Sequence, residues 1–187
     1  MSPKNLKTPS FWPDVGILAL LTGPFFLNDF IFLNIETAPQ WLAADDPVMP
    51  EDLEEAERLQ GVRVEEGDIL LVRTGNYRRR LEQGGLPASE PSTACQVACA
   101  PWFRERGVAM FGTDTSNDIR PSQYPNIGSP LHTMCLVTMG LWLIDNANLE
   151  EITQACAERN RYEFMLTLGP LRLRNITGSP VNPVALF

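Results

Sequence analysis

The tightest constraint on this chain is a pair of short apolar runs that each lead to an acid. Val108 to Phe111 is bounded by Gly107 and Gly112 and is too short for a helix, so it reads as a buried strand. Asp114, Thr115, Ser116, Asn117 and Asp118 follow it almost at once. Leu141 to Ile144 is the second run, and it stops on Asp145. His132, the only histidine of the 187 residues, lies between the two. Strands that deliver acids at their carboxyl ends are how α/β sheets present a site, in the crevice beyond the strand ends. Any general-base, metal or nucleophilic mechanism that needs an imidazole must therefore use His132.

Composition narrows the class of partner. A net charge of -8 argues against nucleic acid, because phosphate-backbone binding depends on clustered Lys and Arg. The one basic cluster, Arg78 to Arg80, reads as a solvated face. Cys95, Cys99, Cys135 and Cys156 show no CxxC spacing and no cleavable signal pattern precedes them, so a reduced, cytoplasmic setting is expected. Cys95 and Cys99 stand at i and i+4, the spacing of two ligands on a helix face. No second Cys or His pair accompanies them, which favours small core residues.

Along the chain, residues 1–30 differ in character from the rest. Val15 to Leu33 is apolar enough to raise a membrane helix, yet Gly16, Gly23, Pro24, Asn28 and Asp29 interrupt it, so a span is not expected. PEDLEEAERLQG reads as a helix opened by Pro50 and closed by Gly61. Ile69 to Val72 is a continuous apolar run, typical of a strand covered on both faces. Tyr77 to Gln83 is a surface helical turn. Ser92 or Thr93 caps a helix through Ala100, which Pro101 restarts and Gly107 stops. His132 opens a helix from Leu131 to Gly140, with Leu131, Cys135 and Thr138 on one face and His132, Leu136 and Met139 on another. A helix over Leu149 to Arg159 and two strands, Tyr162 to Leu168 and Leu171 to Ile176, follow. The proline-rich tail after Gly178 is expected to lack regular structure and to be pinned by Val184, Leu186 and Phe187. This order implies an α/β fold, a mixed sheet with flanking helices.

The residue types leave two chemistries and one bland alternative. Ser116, His132 and Asp145 could form a hydrolytic triad, but GxSxG is absent and Thr115-Ser116-Asn117 is no nucleophile elbow. His132, Asp145, Asp114 and Asp118 are donors suited to zinc or manganese. A helix-start histidine and loop aspartates also often only cap the backbone.

Four segments, VEEGDILLVRTGNY, APWFRERGVAMFGTDTSND, SPLHTMCLVTMGLWLIDNANLEEI and TGSPVNPVALF, together resemble the C-terminal part of the cyclase family. These are the metal-dependent hydrolases that include bacterial kynurenine formamidase, or arylformamidase, of tryptophan catabolism. The resemblance implies a cyclase-like domain of swivelling β/β/α type over residues 31–187, incomplete relative to the family, after a divergent and poorly packed segment 1–30. The family motif HxGTHxDxPxH, which supplies most of the metal ligands, is absent here.

Carried over by position, the resemblance implies His132 and Asp145 on the metal and His132 with Asp114 in catalysis. Ser116 and Asp118 are placed against the substrate, a small amide of the N-formylkynurenine type. With part of the ligand set missing, it implies a truncated or degenerate enzyme of reduced or no activity. The alternative is a catalytically silent binding or assembly protein, pairing with itself or with a full-length paralogue. A homo-oligomer is expected in either case.

Overall fold

The computed structural model describes residues 30–34, 41–87 and 89–187. In chain order these form β1 (Phe30–Asn34), α1 (Pro50–Gln60), β2 (Ile69–Arg73), α2 (Asn76–Gln83), α3 (Cys99–Arg106) and β3 (Met110–Thr113). Next come a single turn α4 (Pro130–His132) that runs into a π-helical segment Thr133–Met139, then β4 (Trp142–Ile144), α5 (Glu150–Arg159), β5 (Glu163–Thr167) and β6 (Val184–Leu186). The strands make one mixed sheet in the order β4-β3-β2-β1-β5-β6. The first four run parallel, while β5 is antiparallel to β1 and β6 antiparallel to β5.

The three apolar runs read from sequence are thus neighbours at the parallel end, and the reason is burial on both faces. Leu70, Val72 and Phe111 point to one side, where α1, α3, α4 and the π segment pack over them through Leu53, Phe103, Leu131 and Cys135. Leu71 and Ile144 point to the other side and meet α5 and β5 through Cys156, Phe164 and Leu166. Phe103 and Phe111 rings lie 4.5 Å apart at the centre of the first layer. All four cysteines are free and buried, as core residues rather than a ligand pair.

The helix signals hold where the local chemistry is complete. Pro50 opens α1, and the Asp52 carboxylate accepts the Met49 N–H at 2.7 Å. Gly107 stops α3 with φ +67, and a Cβ there would stand 2.8 Å from Glu66, so both conformation and space require glycine.

Four expectations fail. Ser92 and Thr93 do not cap a helix. Ser92 exchanges backbone bonds with Arg120, the Thr93 hydroxyl donates to Asp46, and Cys95 bridges Val48, which keeps this segment extended until α3 starts at Cys99. Leu171 to Ile176 is not a strand, since the position beside β5 is taken by β6, with Met165 opposite Leu186. The tail is therefore partly regular, because Pro180 and Pro183 precede the ladder and remove none of its donors. The helix carrying His132 widens into the π segment, which leaves Thr138 exposed while Leu131 and Cys135 stay buried.

Phe30 to Leu33, the end of the apolar run considered as a membrane helix, is strand β1; Val15 to Asp29 lies outside the described residues, as does the expectation of a poorly packed segment up to residue 29. Among the described residues no helix is long and apolar enough to cross a membrane.

Gly112 sits between its cross-strand partners Leu71 and Ile144, and an added Cβ would come within 2.8 Å of Leu71 and 3.0 Å of Ile144. Gly112→Ala is expected to cost about 1–3 kcal/mol by overpacking. A lowered urea midpoint with unchanged slope would read it out, and an unchanged midpoint would contradict the packing described.

Candidate active site

The loop after β3 is folded by its own hydroxyls. Thr113 Oγ1 donates to Asn117 Oδ1 at 2.8 Å, the Thr115 N–H donates to Thr113 Oγ1, and the Asn117 N–H donates to Thr115 Oγ1. This tight winding puts Asn117 at φ +58, a left-handed conformation that asparagine tolerates. The same residue is fully buried and reaches across to the end of β4. Its side-chain N–H groups donate to the Ile144 carbonyl at 3.0 Å and to Asp145 Oδ1 at 2.6 Å. Asn146 and Ala147 return backbone bonds to Thr115 and Thr113, so the carboxyl ends of β3 and β4 are locked together.

One residue further on, Asp118 holds the start of α4. Its Oδ1 accepts the Leu131 N–H at 2.7 Å, and its Oδ2 lies 2.5 Å from His132 Nδ1. A helix start opened by Pro130, with no cap from Ser129, is thus satisfied by a carboxylate from 13 residues upstream. His132 Nε2 faces Asp145 Oδ2 at 3.2 Å. The single imidazole is clamped between two carboxylates, Asp118 buried beneath it and Asp145 at the solvent side with its side chain 42% exposed.

The clamp sets the protonation state. Hydrogen bonds from Asp118 first, then Asp145, push His132 up to about 10, against the opposing effect of burial. Burial pushes Asp145 up, but its bonds to His132 and Asn117 outweigh that, and its carboxyl ends below the ordinary range. At neutral pH the site is an imidazolium between two carboxylates.

The other expected residues fall in different places. Asp114 is not joined to this chain of bonds. Its carboxylate accepts from the Thr74 N–H, the Thr74 hydroxyl and the Tyr77 N–H, tying β2 to α2, and burial raises its pKa. Asp118, expected against the substrate, is buried with Oδ1 accepting the Leu131 N–H and Oδ2 on His132 Nδ1. Ser116 lies partly exposed in the same loop. Asn117 and Thr113 carry structural bonds of the site that the sequence did not single out. The only signal for them was their place in the polar run after a strand.

The divalent metal that the resemblance implies does not find a full donor set here. His132 Nε2 and Asp145 are spaced as two ligands of one ion would be, given metal bonds near 2 Å, and Asp118 on Nδ1 resembles an outer-shell partner. A catalytic zinc takes three protein ligands, and among the described residues no group of three His, Cys, Asp or Glu side chains can hold a metal ion. The described residues alone do not fit a metal centre.

A mixed α/β sheet with a carboxylate–imidazole–carboxylate cluster beyond its parallel strands defines the class. The sequence pattern of the cyclase family matches residues 20–117, more than half of the chain, and the chain belongs to that family. No curated protein sequence matches it. Among solved structures, one described as a novel cyclase is similar with 26% identity and a TM-score of 0.72, over 85% of this chain and 53% of that one. A structure described as a potential metal-dependent hydrolase with cyclase activity is similar with 15% identity and a TM-score of 0.59, over 86% and 65%. Isatin hydrolase A from Labrenzia aggregata, bound to benzyl benzoate, is similar with 23% identity and a TM-score of 0.66, over 86% and 61%. The chain spans between about half and two thirds of the length of these structures.

Because His132 is raised above its ordinary 6.5, the stabilisation from its pairing is complete below that value and is lost as pH climbs through about 10. Asp145, lowered, contributes above the ordinary carboxylate value of 3.8 and loses its contribution as pH falls below it. As the chain's only histidine, His132 gives an unambiguous NMR signal. Its imidazole shifts are expected to stay flat between about pH 5.5 and 8.5, and Asp118→Asn should bring the midpoint down toward the ordinary histidine value. A wild-type midpoint near 6.5 would show that the clamp is not formed.

Proposed function

We propose that this chain belongs functionally with the small-amide hydrolases of its family, of N-formylkynurenine type, and that its 187 residues alone hydrolyse such an amide slowly or not at all. The observation that carries this reading is the clamped imidazole. The site stands where a hydrolase of this fold keeps its chemistry, at the carboxyl ends of the strands. Yet both nitrogens of its one imidazole are bonded to carboxylates, and among the described residues no group of three His, Cys, Asp or Glu side chains can hold a metal ion. Isatin hydrolase, similar in fold, is named for a cyclic amide, which supports an amide carbonyl as the bond class. A zinc or manganese ion, as the family implies, would need ligands from beyond the described residues. What this chain's own residues supply is an oriented His132, fixed by Asp118, beside the accessible carboxylate of Asp145.

The test is turnover of N-formylkynurenine with added zinc or manganese, next to equilibrium dialysis for bound metal. The wild type is expected to run no faster than His132→Ala. Stoichiometric metal with turnover that His132→Ala abolishes would overturn the reading in favour of an active enzyme.

A second reading, a silent assembly protein pairing with itself or with a full-length paralogue, is favoured by one surface. Met165, Val184 and Leu186 share a face of the β5–β6 ladder and are 48%, 47% and 49% exposed, with Leu171 and Leu173 also exposed. Sedimentation velocity should then show a dimer that Leu186→Asp dissociates. A single chain at all concentrations removes that reading.

A further inference from the structure

The face of the sheet that carries α1 is not covered to its end. The register through Ile31 sets Leu70 and Glu163 on one side, and by alternation Met165 with them. Met165 pairs with Leu186 and Thr167 with Val184, so these residues of β5 and β6 share the side on which α1 packs against β1. Met165, Val184 and Leu186 stay exposed there, and Leu171 and Leu173 are exposed in the loop that joins the two strands. Two strands at about 4.8 Å spacing make a strip about 10 Å wide, the diameter of one helix.

Charge divides the surface in the same way. From residue 159 to the end of the chain, Arg159, Arg161, Arg172 and Arg174 stand against a single acidic side chain, Glu163, although the whole chain carries a net charge of -8. Arg161, Arg172 and Arg174 are exposed and form no ion pair among the described residues. Asp45, Asp46, Glu51, Asp52, Glu54 and Glu55 make the opposite pole. They are exposed on α1 and the segment before it, and no Lys or Arg stands among residues 45–55. Arg58, one turn on, pairs with Glu55. Leu59, 67% exposed near the end of α1, gives this acidic helix an apolar side chain as well.

We propose that the open β5–β6 face docks the acidic face of α1 from a second copy of this chain, each copy giving its helix to the other. This rests on the self-pairing reading above and adds which surfaces meet. α1 and the open strip lie side by side on one face of the sheet. A two-fold axis parallel to the strands and between the two therefore turns each copy's helix onto the other's strip. Strip laid on strip would oppose arginines to arginines, whereas helix laid on strip sets acids against them. The contact is made twice in one closed dimer.

Sedimentation velocity on the whole chain reads the pairing, with circular dichroism to confirm that each variant is folded. Arg172→Glu with Arg174→Glu, and separately Glu51→Lys with Glu54→Lys, should each weaken the dimer at least about tenfold; all four side chains are exposed. Mixing the two double variants should restore a dimer of wild-type strength, because both of its contacts then join opposite charges. Without any variant, the wild-type dimer should weaken as salt is raised toward about 1 M, where the Debye length falls to about 3 Å. A mixture that stays monomeric, a dimer indifferent to both reversals, or one unmoved by salt overturns the proposal. If Leu186→Asp still dissociates such a dimer, self-pairing stands with other surfaces in contact. A wild type that is monomeric at all concentrations overturns both.

Discussion

Asp118 is the constraint on which this site depends. One buried carboxylate accepts the Leu131 N–H, satisfying a helix start that Ser129 does not cap, and binds the Nδ1 face of the imidazole that the helix delivers. A carboxylate at a helix N-terminus is favourable on electrostatic grounds alone, so Asp118 is held whether or not the histidine is present. The ring then has one orientation open to it, with Nε2 toward Asp145. Removing Asp118 would therefore disturb a helix start, a ring orientation and a charge together.

The second anchor is Asn117. Its left-handed backbone is stabilised by the hydroxyls of Thr113 and Thr115, and its amide group holds the β4 end and Asp145 at once. Asn117 and Asp118 are adjacent, yet one fixes the carboxylate above the ring and the other the carboxylate side below it. A change in the β3 loop would move both sides of the clamp. Two carboxylates, one on each ring nitrogen, favour the charged form of the imidazole. Membership of the cyclase family accounts for the architecture.

Much of the framework was legible in the sequence. Ile69 to Val72, Val108 to Phe111 and Leu141 to Ile144 are continuous apolar runs because strands buried on both faces have no polar side to show. The β3 boundary came out two residues late, at Met110–Thr113, since its extent is set by pairing with β2 and not by its own apolar content. Ser92, Thr93 and Leu171 to Ile176 were misread because their backbone partners, or the strand that displaced them, lie far away in sequence.

The same division runs through the site. The sequence by itself determined its residue types: one histidine, acids after two strand ends, and a helix start at Pro130. It could not rank Asp114 against Asp118, which are four positions apart in the same polar run. Tertiary structure decided between them through backbone donors brought from distant segments. Thr74 and Tyr77 hold Asp114, while Leu131 and His132 hold Asp118. Periodicity is a local property that side-chain burial writes into neighbouring residues. The choice of hydrogen-bond partner depends on distances that exist only once β2, β3 and β4 lie side by side.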